Sequence, residues 1–269
     1  MININGGEIL KILAIGDVCC DGGCEMLLKT LPRLKKEHNI DLTVVNGENS
    51  ASQNGISPAS AQIIFNAGAD VITGGNHTLH RRDIRPYIES NPRVLRPHNL
   101  PNSLAGSGYC LIDKGFCLVA VINLLGQVYL EGQEASNPFL AADEIIEKAK
   151  ADGANIILVD LHAEATSEKR AMGFYLDGKV SAVFGTHTHV QTSDAQILPR
   201  GTAYITDLGM TGPVNSVLGV EPELIIDRFK NGTKGRFSSA EGRCSLEGAI
   251  FTVDAKTGIA QSAETIRIF

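Results

Sequence analysis

No stretch of this 269-residue chain approaches the roughly 18 consecutive apolar residues that a membrane-spanning helix needs. Met1 to Lys11 likewise lacks the basic region, apolar core and cleavage site of a secretory leader, so a cytoplasmic location without membrane partners is expected. Blocks of like charge are absent too, and with a net charge of -6 this argues against long duplex nucleic acid as a partner. A small anionic substrate stays open, because bound metal ions can invert the local field of an acidic protein. The six cysteines form neither a CxxC pair nor a secreted framework; Cys19, Cys20 and Cys24 crowd together and read as free buried thiols. No repeat, low-complexity tract or linker interrupts the chain, so one domain over residues 1–269 is expected.

What the chain does contain is a globular composition, 43% hydrophobic and 20% charged, sufficient for a sizeable core. Short apolar runs alternate with helical patterns. Lys11 to Gly16, Leu42 to Val45 and Asp70 to Thr73 read as buried strands, with helices predicted over Glu25 to Lys36 and from Ser57, an N-cap followed by Pro58, to Ala67 before Gly68. Tyr109 to Leu125 reads as a hairpin about Asp113-Lys114-Gly115. Asn137-Pro138 opens a helix through Lys150, and strands follow over Asn155 to Leu161 and Ala182 to Phe184. A last hairpin joins Ala249 to Val253 with Ile259 to Ile268. The class is α/β with mixed sheets.

Asp17, Glu48-Asn49, Asn76-His77, Asp160 with His162, and His187 with His189 all fall at or just beyond the ends of these apolar strands. Ligands of open α/β sheets gather at the carboxyl ends of strands, so residues distant in sequence can converge on one rim. Carboxylate, amide and imidazole donors suit Mg, Mn, Fe or Zn rather than a thiolate-rich structural zinc site. Asp17, Glu48, Asn49, Asn76, His162, His187 and His189 are too many donors for one ion, and a pair of divalent ions sharing a bridging carboxylate resolves the count. Glu48 is the candidate bridge. Singly, Gly16-Asp17 or Gly47-Glu48-Asn49 reads equally as a turn or cap, and His162 as a satisfied core histidine. The joint pattern with Gly185-Thr186-His187-Thr188-His189 and Gly74-Gly75-Asn76-His77 is what points to metal.

These ordered blocks resemble the calcineurin-like metallophosphoesterases. Within that superfamily, the stretches around Glu48-Asn49-Ser50-Ala51, Thr73 to His77, Asp160 to Lys169 and Gly185 to Thr192 look like the YmdB-type subfamily over almost the whole chain. Two departures from the superfamily pattern agree with the subfamily: Cys19 stands where the first block has His, and Glu48-Asn49 replaces the usual bridging Asp. The resemblance implies a four-layer αββα sandwich of two mixed β-sheets flanked by helices. It also implies a phosphodiesterase acting on small phosphodiesters such as 2′,3′-cyclic nucleotides, through a hydroxide bridging the two ions. Asn49 then serves one ion with Asp17, Glu48 and His189; Asn76, His162 and His187 serve the other with Glu48. His77 is the expected general acid.

Arg81 and Arg82 read as phosphate-steering groups or as decoration of a solvated helix, His80 and His98 as site neighbours or plain surface histidines, and Glu164 and Glu168 equally as groups that orient ligands or as plain surface carboxylates. Two other readings use the same centre, a phosphomonoesterase or nucleotidase and a metal-binding regulatory scaffold; His77 disfavours the scaffold, which needs no proton donor. A closed homo-oligomer is the common expectation for a soluble enzyme.

Overall fold

The structure is a computed structural model that describes residues 8–52 and 54–269. The first seven residues, part of the stretch read for a leader, lie outside the described residues. In chain order the first half holds β1 (Ile9–Ile15), β2 (Asp17–Val18), α1 (Cys20–His38), β3 (Leu42–Asn46), α2 (Pro58–Ala67), β4 (Val71–Thr73), α3 (Ile84–Ser90), β5 (Tyr109–Asp113) and β6 (Leu118–Leu125). The second holds α4 (Pro138–Ala151), β7 (Ile156–His162), α5 (Thr166–Leu176), β8 (Ala182–Thr186), β9 (Gln196–Ile197), β10 (Ala203–Ile205), β11 (Met210–Pro213), α6 (Pro222–Asn231), β12 (Cys244–Asp254) and β13 (Ala260–Ile268).

The strands form two mixed sheets. One has the order β2-β11-β12-β1-β3-β4 with β13 added on β12; the other runs β5-β6-β7-β8-β10-β9. Leu10, Ile12 and Ala14 of β1 and Phe251 of β12 point into a core shared with Val119, Leu158 and Phe184 of the other sheet. The opposite face of the first sheet, with Leu13 and Ile15, packs on Leu27, Leu31 and Leu34 of α1 and Ile64 of α2. The opposite face of the second sheet, with Ile122 and Val159, packs on Ile145 and Ile146 of α4 and Met172 of α5. Helix, sheet, sheet and helix are thus the four layers, and strands covered on both faces explain why their sequences read as unbroken apolar runs.

Local chemistry sets the boundaries where the sequence is explicit. The Ser57 hydroxyl accepts from the Ser60 amide while Ser60 accepts from that of Ser57, Pro58 occupies the first turn, and Gly68 closes α2 at a φ of 110°. Helix α1 begins at Cys20, earlier than the expected Glu25. Its Gly-Gly start is a poor helix former, but a Cβ on Gly23 would stand 2.3 Å from the Thr211 carbonyl, so only glycine lets this turn lie against β11. The terminal hairpin is longer than expected, with β12 serving both β1 and β13.

Parallel pairing of β1 with β3 and of β3 with β4 aligns three carboxyl ends in the first sheet. In the second, β6, β7 and β8 are parallel. Among the described residues, no helix is long and apolar enough to cross a membrane.

Candidate metal centre

The loops that leave those strand ends meet on one rim. Glu48, just past β3, is fully buried, and its Oε1 lies 3.0 Å from Nε2 of His162 at the end of β7. The same imidazole nitrogen is 3.0 Å from Oδ1 of Asn76, past β4, and 3.0 Å from Nδ1 of His187, past β8. Glu48, His162 and His187 offer donor atoms all within 4.8 Å of one another. A carboxylate oxygen, an amide oxygen and two imidazole nitrogens therefore face a common point, the donor set of a divalent ion.

Asp17 forms the adjoining half. Its Oδ2 accepts the His187 amide at 3.0 Å, whereas its buried Oδ1 has no hydrogen-bond partner and lies 3.6 Å from Nε2 of His189. An orphaned carboxylate oxygen costs more than the roughly 1–3 kcal/mol of an unpaired neutral group, and a cation beside it removes that cost. The Asn49 side chain completes the group, with Nδ2 placed 3.2 Å from His189 Nε2 and 3.1 Å from Glu48 Oε1, and Oδ1 3.3 Å from His77 Nδ1. Turning the amide over keeps its shape and exchanges the two atoms, presenting oxygen to the Asp17 side. On both sides the residues fit divalent cations.

Electrostatics describe an acidic centre whose charge a cation would offset: against burial, Cys19 and Asp17 raise His189 well above the ordinary imidazole range, and Glu48 and Asp17 raise His162. Burial raises the Glu48 carboxyl, but His162 and then His77 more than reverse this and hold it well below the usual carboxylate range. Asp17 is also lowered, since His189 and His162 overcome its burial. Burial, reinforced by His162, pushes His187 down to about 3, which leaves the imidazole neutral and its lone pair available. Cys19 Sγ is 3.5 Å from His189 Nδ1, and burial, though opposed by His189, pushes the thiol up. All six cysteines are free thiols, as expected.

The turn carrying the last two histidines is strained: His187 and His189 adopt φ values of 100° and 60°. Asp17 grips the His187 amide, and Asp207 accepts from the Thr188 amide at 3.2 Å and hydroxyl at 2.7 Å. Behind Asp207 lies Lys169, 2.6 Å away, both side chains 1% exposed. Glycine is equally strict at Gly75, where a Cβ would fall 2.3 Å from both Glu48 Oε2 and His162 Nε2.

A cavity of about 650 Å³ opens over the centre, lined by Glu48, Asn49, His77, His187 and His189 and also by Gly235, Arg236 and Phe237. His77 donates its amide to Glu48 Oε2 at 3.0 Å and stacks on His80, ring centroids 5.6 Å apart. Glu164 Oε2 is 3.1 Å from His187 Nε2, so this glutamate orients a candidate ligand. Glu168 does not: it accepts from the Gln127 and Val128 amides. Arg81 pairs with Asp83 on the surface, and neither it, Arg82 nor His98 lines the cavity. Sequence reading missed the segment from Leu218 to Ser239, whose Leu218 carbonyl is 3.1 Å from His189 Nδ1 and whose aromatic and basic side chains wall the cavity. It bears no metal-ligand pattern and follows no strand end, so nothing local marks it.

Known proteins share this sequence and this fold. The sequence model described as YmdB-like protein matches residues 13–266. The chain is 44% identical over 259 residues, 96% of its length and 97% of the relative's, to the 2′,3′-cyclic-nucleotide 2′-phosphodiesterase of Bacillus subtilis (strain 168). It is similar to the crystal structure of a novel phosphatase from Mycoplasma pneumoniae, with TM-score 0.91 and 36% identity over 97% of this chain and 94% of that one. A hypothetical protein from Thermus thermophilus superposes with TM-score 0.88 and 34% identity, covering 96% of this chain and 99% of its own. The fold is that of the calcineurin-like metallophosphoesterases, and the chain belongs to the YmdB-like protein family.

Proposed function

We propose that this chain is a metal-dependent phosphodiesterase of small substrates, 2′,3′-cyclic nucleotides among them, acting as a single domain at one dinuclear centre. The observation that carries the reading is the convergence of Glu48, Asn76, His162 and His187 donor atoms on one point beside the unpartnered Asp17 oxygen. The Bacillus relative's name supplies the substrate class. Asp17, Glu48, Asn49 and His189 would hold one ion and Glu48, Asn76, His162 and His187 the other, with Fe, Mn, Zn or Mg all suited to these donors. Bound there, divalent ions supply Lewis acidity that draws charge off the phosphoryl oxygens.

The protein's own groups do the rest. His77 is the general acid. In that role its ring is the imidazolium, with Nδ1 3.5 Å from the Glu48 carboxylate and the side chain lining the cavity where the leaving ribose oxygen would take the proton. Arg236 offers a cation in the wall of the cavity, and Phe237 an apolar face for the nucleoside. The test is turnover of 2′,3′-cyclic nucleotides and of bis(p-nitrophenyl) phosphate against its monoester, before and after chelation. Diester hydrolysis lost to chelator and restored by divalent metal supports the reading; preferential monoester hydrolysis makes the chain a phosphomonoesterase, and metal binding without any turnover makes it a scaffold.

A further inference from the structure

The imidazole of His162 has a second nitrogen, and what surrounds it decides how the first can act. Nδ1 lies 2.9 Å from the Thr186 hydroxyl. That hydroxyl has one hydrogen to give and two lone pairs to fill. Its hydrogen goes to Asp160 Oδ1 at 2.7 Å, and Asn46 Nδ2 donates to it at 3.2 Å. The Asn46 orientation is fixed independently, because the same NH₂ serves the Gly74 carbonyl and Asp160 Oδ2, both at 3.1 Å, while its oxygen accepts the Glu48 amide at 3.2 Å. Thr73 donates to Asp160 Oδ2 at 2.5 Å, so with Thr186 and Asn46 three donors converge on this carboxylate, the arrangement of a hydrogen-bond acceptor. The two Asn46 hydrogens are shared among three acceptors, so at least one Thr186 lone pair stays open, and it faces His162 Nδ1. Asp17 Oδ1, the other acceptor near that nitrogen, is 3.9 Å away and beyond hydrogen-bond reach.

We propose that Thr186, held by Asp160, Asn46 and Thr73, is a positioning residue that accepts a hydrogen bond from Nδ1–H of His162 and thereby fixes the Nε2 lone pair toward Glu48, Asn76 and His187. The inference rests on the metal-centre reading and adds its proton bookkeeping: every member of this buried set is satisfied only if Nδ1 carries the hydrogen. His187 has an analogous partner in Glu164, but that carboxylate is 49% exposed, whereas Asp160 and Thr186 are wholly buried. Orientation of a ligating imidazole by such partners typically changes metal affinity about 10–100-fold.

The experiment is nitrogen-15 NMR of the histidine side chains in the zinc-loaded full-length protein, with zinc affinity measured by competition for the wild type, Thr186→Val and Thr186→Ser. Expected are a proton on His162 Nδ1 with zinc on Nε2, zinc affinity about 10–100-fold weaker in Thr186→Val, and recovery to within about threefold in Thr186→Ser. Zinc on Nδ1 in the wild type overturns the proposal whatever the variants do, which keeps it testable if Thr186→Val does not fold. A folded Thr186→Val with unchanged zinc affinity also overturns it. Failure of the wild type to bind zinc, manganese or iron at all sinks the metal-centre reading itself.

Discussion

Oε1 of Glu48 and Nε2 of His162 lie 3.0 Å apart, both side chains fully buried, one delivered by the first sheet and the other by the second. The contact joins the two halves of the fold at the chemistry. Glu48 also touches Asn49 and His77, so its carboxylate lies within reach of both candidate ligand groups. Glu48→Gln keeps the shape and removes the charge. Metal content at both positions should fall, with turnover down by upwards of about 10²-fold, since several kcal/mol of charge stabilisation are at stake. Elemental analysis after gel filtration checks this; full occupancy at both positions would exclude Glu48 as the bridge.

Gly75 gives the second expectation. Alanine there places a methyl 2.3 Å from Glu48 Oε2 and His162 Nε2, so the two side chains must move apart. A displacement of that size misaligns the reacting groups, and Gly75→Ala should lose about 10²-fold in turnover. A variant with wild-type kcat would show that the pair moves freely.

Lys169 and Asp207 are a buried pair that supports the strained His187-Thr188-His189 turn. Lys169→Met leaves Asp207 charged and unpaired, and should cost about 3–5 kcal/mol in chemical denaturation of the metal-free protein. A loss below about 1 kcal/mol would mean that water or another cation reaches Asp207.

His77 is the residue whose role kinetics can separate. A general acid contributes about 10²–10⁴-fold, and most where the leaving group is a poor one. His77→Ala should keep its metal, lose most turnover of a 2′,3′-cyclic nucleotide, and lose much less with a p-nitrophenyl diester. Equal losses on both substrates would reassign His77 to substrate positioning, and loss of metal would make it a ligand.

Phe237 is 46% exposed in the cavity wall with the Arg228 guanidinium 4.8 Å from its ring centroid. Stacking of a base on an aromatic ring is worth about 1–3 kcal/mol, so Phe237→Ala should raise KM for a cyclic nucleotide about tenfold while leaving ribose 2,3-cyclic phosphate unaffected. An equal rise for both would place Phe237 in general cavity packing.

The sequence was legible where one residue both ends a buried strand and carries a donor atom. Asp17, Glu48, Asn76, His162 and His187 follow apolar runs whose strand character needs no partner to be recognised, and the structure brings them together. The capped helix from Ser57 was equally explicit, because its Ser, Pro and Gly act locally. The short strands β9, β10 and β11 carry too few residues for a periodicity. The hydrogen-bond set behind His162 was also hidden: Asn46, Thr73 and Thr186 are ordinary strand-end residues until Asp160 joins them across the two sheets.

Anomalous diffraction from crystals grown with manganese tests the central claim most directly. Two peaks roughly 3.5–4 Å apart should flank Glu48, one bound by Asp17, Asn49 and His189 and the other by Asn76, His162 and His187. No peak at Glu48, or a single ion touching only one of these groups at saturating manganese, would contradict the dinuclear centre.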